Sequence, residues 1–206
     1  MTIKMKEGDG MCGVFRLPET DEMLLRLERI YAGTGLMDQC VLSGDAYPNQ
    51  VLPVIARGKS GNCGPFLMQW GFHLNGRKTP VINTRSETAG NLPLFAASYK
   101  TRRCLIPAAG YFEWQRGDKK SSQKFLFTPF AQEPIYLAGI YRYENDARLP
   151  VFSVLTKKAT PDIAFIHERM PVMLAGDDAL PWLSPDADPD SLLQHALTLM
   201  DITRCA

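Results

Sequence analysis

The chain of 206 residues lacks any apolar run near the roughly 18 residues that a membrane-spanning helix needs. Its first ten residues are polar and include Glu7 and Asp9, so they do not have the composition of a secretory signal. Internal repeats are also absent. These absences favour a globular protein that works in the cytoplasm.

Cysteine is scarce and scattered, with five residues at positions 12, 40, 63, 104 and 205. No two of them have Cys-x-x-Cys spacing, so neither a zinc site nor a thioredoxin-like redox motif is indicated. We expect Cys40, Cys63 and Cys104 to be buried as small apolar side chains. Cys12 is considered separately below.

A large net charge is lacking too, because the chain carries only +1, but the charges are unevenly distributed. Residues 77–124 contain ten basic and three acidic side chains, which gives this segment a charge of +7. Residues 171–200 contain five aspartates and neither Lys nor Arg. A basic surface attracts the phosphate backbone of nucleic acid whatever its sequence. The charges alone are equally consistent with a DNA-binding face and with an ordinary solvated surface.

Hydrophobic spacing predicts the secondary structure. Leu24, Leu27 and Ile30 recur at helical spacing, and Gly33 and Gly35 end this helix. Helices are also expected at residues 160–166, which open with Thr-Pro, and at residues 191–200. Short segments rich in β-branched and aromatic residues predict strands at residues 12–16, 51–56, 66–72, 124–127, 135–143, 151–156 and 169–174.

These elements do not alternate regularly between strand and helix, which argues against a doubly wound parallel sheet. We therefore expect an α+β fold in which residues 12–206 form a single domain. Its centre is a curved, mainly antiparallel β-sheet or barrel-like core with flanking helices. Residues 1–11 are expected to be an N-terminal extension that is removed.

Cys12 stands in the sequence Met11-Cys12-Gly13. Were Met11 the start and then removed, Cys12 would carry a free α-amine beside its thiol. With ordinary pKa values near 8 and 8.5, both groups are partly deprotonated at neutral pH. A 1,2-aminothiol captures an aldehyde as an imine and then closes a thiazolidine ring. In a genome, the relevant aldehyde is the ring-opened sugar of an abasic site. The alternative for Cys12 is a plain buried strand cysteine.

Glu113 and His167 are the candidates for proton transfer. Glu113 lies in the otherwise apolar run Gly-Tyr-Phe-Glu-Trp, and a carboxylate is costly to bury there unless it has a partner. Strand alternation places Glu113 on the face of Tyr111, which leaves open that this face meets solvent. His167 is one of three histidines and has an unperturbed pKa that suits acid–base work, although a lone histidine is often structural.

Arginine and aromatic side chains supply candidate DNA contacts. Arg85 and Arg169 are interpreted as phosphate ligands because a guanidinium binds phosphate oxygens bidentately. Asn83 could hydrogen-bond the sugar or the backbone of Cys12. Trp70 could stack on a base next to the lesion, since aromatic platforms accept any sequence; the alternative is that it packs in the core. Phe72 is interpreted as a core residue.

Five segments together resemble the SRAP family, the SOS-response-associated peptidase-like proteins that crosslink to abasic sites. The first are Cys12-Gly13, Trp70-Gly71-Phe72 and Asn83-Thr84-Arg85-Ser86-Glu87. The others are the run from Arg103 to Trp114 and His-Glu-Arg-Met-Pro-Val at residues 167–172. In the family the cysteine usually follows the initiator methionine and is often followed by Gly-Arg, whereas ten residues precede Met11 here and position 14 is Val. The family often has an Asn where Asp45 stands, and we assign Asp45 no catalytic role.

The resemblance implies a covalent thiazolidine crosslink between Cys12 and an abasic site in single-stranded DNA, with self-removal of the residues ahead of Cys12. It implies Cys12, Glu113 and His167 as catalytic residues, and Asn83, Arg85, Arg169 and Trp70 as DNA contacts. No metal, organic cofactor, membrane or obligatory protein partner is required, a lyase side reaction can follow from the imine, and the protein would work near the nucleoid.

Two other functions remain compatible with the sequence. The chain could be a cysteine peptidase with Cys12, His167 and Glu113 as a triad-like set, acting on peptides. It could also be a non-catalytic single-stranded DNA-binding module. For the extension, we expect a path along the DNA groove, with Glu7 and Asp9 near Arg85 or Arg169, in a latent precursor whose Cys12 nitrogen is an amide.

Overall fold

A computed structural model of the chain describes residues 13–19, 21–115, 122–130, 135–145, 147–176 and 179–205. None of the helices in these ranges combines the length and apolar character that crossing a membrane requires. The described residues form five α-helices: α1 (Asp21–Tyr31), α2 (Ser86–Ala89), α3 (Pro93–Thr101), α4 (Pro161–Ala164) and α5 (Pro189–Leu193).

The strands are short and, with two exceptions, pair antiparallel. In chain order they are β1 (Val14–Leu17), β2 (Gly44–Ala46), β3 (Val51–Arg57), β4 (Cys63–Trp70), β5 (Asn83–Arg85), β6 (Arg103–Ala108), β7 (Gly110–Gln115), β8 (Gln123–Pro129), β9 (Ile135–Arg142), β10 (Val151–Lys158), β11 (Arg169–Pro171), β12 (Met173–Ala175) and β13 (Met200–Arg204). The exceptions are β4 and β5, which both run parallel to β10.

Five of these strands close into a barrel. β10 pairs with β4, β4 with β3, β3 with β6, β6 with β9, and β9 returns to β10. A second, antiparallel sheet has the order β13-β8-β7-β1-β2. The expected α+β fold with a barrel-like, mainly antiparallel core is thus confirmed.

The core has two parts because the sheets are covered on both sides. One cluster lies between the barrel and the second sheet and includes Phe15, Trp70 and Phe152. The other lies where α3 and the 3-10 helix Leu180–Leu183 cover the barrel, and includes Phe95 and Trp182. β5 and β11 lie on the two sides of the C-terminal end of β10, at one end of the barrel.

Two glycines in the motifs that carry the family resemblance, Gly71 and Gly110, stand at positions where a side chain would not fit. Gly71 adopts φ +120°, and a Cβ there would lie 2.7 Å from the Cβ of Pro80. A Cβ on Gly110 would lie 2.5 Å from the backbone oxygen of Phe127. A side chain at Gly110 would therefore push β8 away from β7, the strand that carries Glu113.

Three local predictions were wrong. Residues 191–200 were expected to be a helix, but α5 is capped by Asp188 and ends at Leu193, and Met200 begins β13, which pairs with β8. The predicted strand at 169–174 divides into β11 and β12, because the first pairs with β10 and the second with β9. Cys40, Cys63 and Cys104 were all expected to be buried. Only Cys104 of these three is buried, whereas Cys40 is half-buried and Cys63 is exposed.

Candidate active site

The first wall of the site is β5, which lies in parallel register beside β10. Asn83 pairs with Val154 and Arg85 with Thr156. Between them Thr84 points inward, where its hydroxyl lies 2.8 Å from that of Ser153. Strand alternation therefore turns Asn83 and Arg85 to the opposite side from Thr84, and Arg85 is exposed. Within the described residues, no hydrogen bond ties the Arg85 guanidinium.

The second wall is β11, on the other edge of the β10 C-terminus. Arg169 pairs with Lys158 in this ladder. Its Nη1 donates to Oε1 of Glu87 at 2.7 Å, and its Nη2 donates to Oε2 at 2.8 Å and to the Thr156 carbonyl at 2.7 Å. Both walls meet at this contact, because Glu87 lies in α2, directly after β5. The hydrogen bond from Arg169 holds the pKa of Glu87 below its ordinary value, so the carboxyl is charged at neutral pH.

His167 stands at the entrance to β11, just after α4. Its Nδ1 lies 3.1 Å from the backbone nitrogen of Arg169 and 3.2 Å from the carbonyl oxygen of the same residue. Nδ1 accepts from the nitrogen in one neutral tautomer and donates to the oxygen in the other. In either tautomer the backbone of Arg169 fixes the position of the ring.

Glu113 comes from β7 in the second sheet and is only 3% exposed. This burial excludes the solvent-facing alternative for its side of the strand. The β1–β7 ladder pairs Val14 with Phe112, so β1 runs beside Glu113. At the end of the same strand, Gln115 Nε2 donates to the Phe165 carbonyl at 3.3 Å, two residues before His167. β7 is therefore joined both to the start of β1 and to the His167 segment.

Trp70 is a core residue, so its predicted role in stacking on a base was wrong. Its side chain is 0% exposed, its ring stacks on Phe152 at 6.2 Å, and Nε1 donates to the Ile82 carbonyl at 3.0 Å. A base needs an exposed ring face, and Trp70 offers none. Trp70 instead supports the backbone just before β5. The core position expected for Phe72 is confirmed.

The basic segment is less uniform than its composition indicates. Arg103 is buried at 3% exposure and donates to the carbonyls of Trp182, Ser184 and Ala187, so it belongs to the core. Lys124 lies 3.8 Å from the centre of the Phe112 ring. Arg16, outside the segment, pairs with Asp45 at 2.9 Å, which gives Asp45 a structural contact.

Cys12, Glu7 and Asp9 lie outside the described residues, so their predicted positions stay predictions. Sequence reasoning assigned no role to Glu87, Thr156 or Gln115. Only Glu87 carried a signal, because it stands inside the Asn-Thr-Arg-Ser-Glu motif. The other two are recognisable only from strand pairing. In the described part of the chain, no group of three or more His, Cys, Asp or Glu side chains could hold a metal ion.

Comparisons with known proteins agree on one family. The family model described as SOS response associated peptidase (SRAP) matches residues 11–204. Abasic site processing protein YoqW of Bacillus subtilis is 29% identical over 204 residues, which cover 89% of this chain and 87% of that protein. Abasic site processing protein YedK of Escherichia coli is 33% identical over 109 residues, which cover 52% of this chain and 48% of that protein.

Solved structures share the fold at low sequence identity. A protein from Bacteroides thetaiotaomicron matches with a TM-score of 0.72 and 18% identity, over 95% of this chain and 92% of that one. A phage-related protein from Bordetella bronchiseptica matches with a TM-score of 0.71 and 22% identity, over 94% of each chain. Since the family match spans nearly the whole sequence, this protein belongs to the SOS response associated peptidase (SRAP) family.

Proposed function

We propose that this protein processes abasic sites by binding single-stranded DNA and capturing the sugar aldehyde on Cys12 as a thiazolidine. Relatives that cover most of the chain are named abasic site processing proteins, which supports this substrate. Asn83, Arg85 and Arg169 lie on strands that both pair with β10. Glu113 lies on β7 of the second sheet, whose Gln115 donates to the Phe165 carbonyl, two residues before His167.

The observation that carries the proposal is the pairing of β1 with β7. Val14, two residues after Cys12, is the partner of Phe112, and Phe112 is the neighbour of the buried Glu113. Consecutive Cα atoms are about 3.8 Å apart, so the covalent chain limits how far the Cys12 thiol and amine can lie from this carboxyl. A buried acid close to a 1,2-aminothiol is what the capture chemistry needs.

The reaction balances without an external reagent. The Cys12 α-amine adds to the aldehyde carbon, and loss of one water gives the imine. The thiolate then adds to the imine carbon, the nitrogen takes up a proton, and the five-membered ring closes. Glu113 transfers protons during imine formation, and His167 supplies the acid–base step that opens the sugar. Asn83 hydrogen-bonds the sugar or the Cys12 backbone.

The proposal extends to the residues ahead of Cys12. While Met11 precedes Cys12, the nitrogen of Cys12 is an amide and cannot form an imine. Self-removal of residues 1–11, with the thiol or its neighbours acting on the Met11–Cys12 peptide bond, would release the amine. The same imine permits β-elimination, which accounts for a lyase side reaction.

Denaturing electrophoresis tests this function with a matched thiol control. Protein that begins at Cys12 is incubated with a single-stranded oligonucleotide containing one abasic site. We expect a denaturant-resistant adduct for the wild type and none for Cys12→Ala. Cys63→Ala removes an exposed thiol from β4 and should crosslink like the wild type. Equal crosslinking by Cys12→Ala and wild type would show that the proposed function is wrong.

A further inference from the structure

The ion pair between Glu87 and Arg169 occupies the part of the guanidinium that a phosphate would use. Both carboxylate oxygens of Glu87 accept from the two terminal nitrogens, at 2.7 and 2.8 Å. This end-on, two-bond geometry is the one in which arginine binds phosphate as well as carboxylate. Glu87 therefore holds the place of a DNA phosphate in the free protein.

The N–H groups of Arg169 that do not bind Glu87 cannot bind a phosphate through two hydrogen bonds. A guanidinium has five N–H donors. Two of them bind Glu87, and the second N–H of Nη2 is directed at the Thr156 carbonyl, 2.7 Å away. The other two are the N–H of Nε, which is buried without an acceptor in the described part of the chain, and one N–H of Nη1. These two lie on opposite edges of the planar group, so a phosphate cannot be bound by both.

We propose that Glu87 is a built-in competitor for the DNA backbone, and that a phosphate binds Arg169 bidentately only after displacing the Glu87 carboxylate. This inference rests on the proposed DNA-binding function of the site. Displacement is physically accessible because the Glu87 side chain is 47% exposed and can move into water, whereas the Arg169 side chain is 12% exposed and keeps its bond to Thr156. Displacement also breaks the 3.3 Å hydrogen bond from the Lys158 backbone N–H to Glu87 Oε1, and water can replace this bond because Lys158 is exposed. The carboxylate that leaves is solvated without a new buried charge.

Arg85 and Arg169 then have different roles. The Arg85 guanidinium is exposed and tied by no hydrogen bond among the described residues, so it can meet a phosphate at once. Arg169 joins only when a phosphate is placed well enough to replace Glu87. The two arginines together would bind DNA more tightly when one of its phosphates reaches Arg169 than when the DNA contacts only the exposed basic side chains.

The test compares two charge-matched variants. Glu87→Gln removes the competing charge. Glu168→Gln removes a carboxylate from the exposed residue next to Arg169, and in the described part of the chain this carboxylate makes no hydrogen bond or ion pair. Binding is measured by fluorescence anisotropy with a single-stranded oligonucleotide carrying a tetrahydrofuran abasic analogue, which has no aldehyde. We expect Glu87→Gln to bind the oligonucleotide about fivefold more tightly than wild type, which corresponds to about 1 kcal/mol. The affinity of Glu168→Gln should differ from that of wild type by less than about twofold.

A double-mutant cycle separates competition from general electrostatics. Arg169→Lys keeps the positive charge but cannot form a two-bond contact. In this background, the gain from Glu87→Gln should fall to that of Glu168→Gln. Equal gains from the two glutamine variants with Arg169 present would overturn the inference. Weaker binding by Glu87→Gln would also overturn it, because Glu87 would then be orienting Arg169 for DNA.

A second measurement keeps this inference separate from the proposed function. Inorganic phosphate is titrated into the protein while the Nε–H signal of Arg169 is followed by NMR. Glu87→Gln should lower the half-saturating phosphate concentration by about fivefold, and Glu168→Gln by less than about twofold. Failure of every form to bind the oligonucleotide would contradict the DNA function alone. Equal phosphate saturation in wild type and Glu87→Gln would contradict the competition.

Discussion

Arg103→Met tests whether a charge from the basic segment belongs to the core. The guanidinium of Arg103 lies 5.1 Å from the centre of the Trp182 ring and donates to the carbonyls of Trp182 at 2.7 Å, Ser184, and Ala187 at 3.1 Å. Arg103 also donates to the Tyr99 carbonyl in α3 at 3.4 Å. Methionine keeps much of the side-chain volume but offers no donor. Four carbonyls then lose the cation that joins β6 to α3, to the 3-10 helix Leu180–Leu183 and to the chain that follows it.

The expected loss is about 3 kcal/mol of unfolding free energy. The Trp182 carbonyl accepts in a buried bond, and leaving such an acceptor unsatisfied costs roughly 1–3 kcal/mol. Ser184 and Ala187 are only partly buried, so water can replace part of their bonds, and we assign each about 1 kcal/mol. Against this, burial lowers the pKa of Arg103, and removing a buried charge recovers part of that desolvation cost.

Urea unfolding measures this change, with Arg102→Met as the matched control. Arg102 is half-buried, and in the described structure its side chain makes one long hydrogen bond, 3.4 Å to the Ser98 hydroxyl. The control should lose less than about 1 kcal/mol. An Arg103→Met variant as stable as the control would refute the structural role. A reduced salt dependence of DNA binding in Arg103→Met would instead place Arg103 on the DNA face.

Three other predictions concern the candidate active site. Arg85→Ala should weaken binding of single-stranded DNA and reduce the slope of log affinity against log salt by about one, and an unchanged slope would mean that Arg85 meets no phosphate. Glu113→Gln and His167→Ala should slow crosslinking in single-turnover assays while anisotropy shows near-normal DNA affinity; a parallel loss of affinity would assign them to binding. The Arg169 bond lowers the pKa of Glu87 from its ordinary 4.5, so the stability that Glu87 contributes is present above that value and is lost as pH falls. The unfolding free-energy difference between wild type and Glu87→Gln should therefore shrink as pH falls from about 5 to 3, and a constant difference would contradict this.

Secondary structure was predictable where one face of an element meets the core. Leu27 is fully buried in α1, and its helical spacing had indicated that helix. Four of the five barrel strands, β3, β4, β9 and β10, were likewise predicted from their β-branched and aromatic content, but β6 was not. Sequence spacing failed for residues 200–204, because their strand exists through pairing with β8, more than seventy residues earlier. Long-range pairing of this kind leaves no local pattern to read.

The candidate site was predictable as residue types but not as contacts. Glu113, His167, Asn83, Arg85 and Arg169 were all singled out. Pairing with β10 connects the strands of Asn83, Arg85 and Arg169, whereas Glu113 lies in the second sheet. Nothing in the sequence distinguishes an arginine that faces solvent from one that binds carbonyls.

The contrast between Arg85 and Arg103 therefore needed the structure, because both lie in the same basic segment. The sequence also does not show whether Trp70 is buried or exposed, because an indole ring can either pack in an apolar core or stack on a nucleic-acid base. Glu87 was visible in a motif, but its bond to Arg169 joins positions 82 residues apart.

Intact-mass spectrometry tests the central claim most directly. Protein beginning at Cys12 is mixed with an abasic single-stranded oligonucleotide, and a second sample retains residues 1–11. The account predicts a product equal to the sum of protein and DNA minus one water, mapped to Cys12, only in the first sample. The same product in protein whose mass still includes residues 1–11, or in Cys12→Ala, would contradict capture by the free aminothiol.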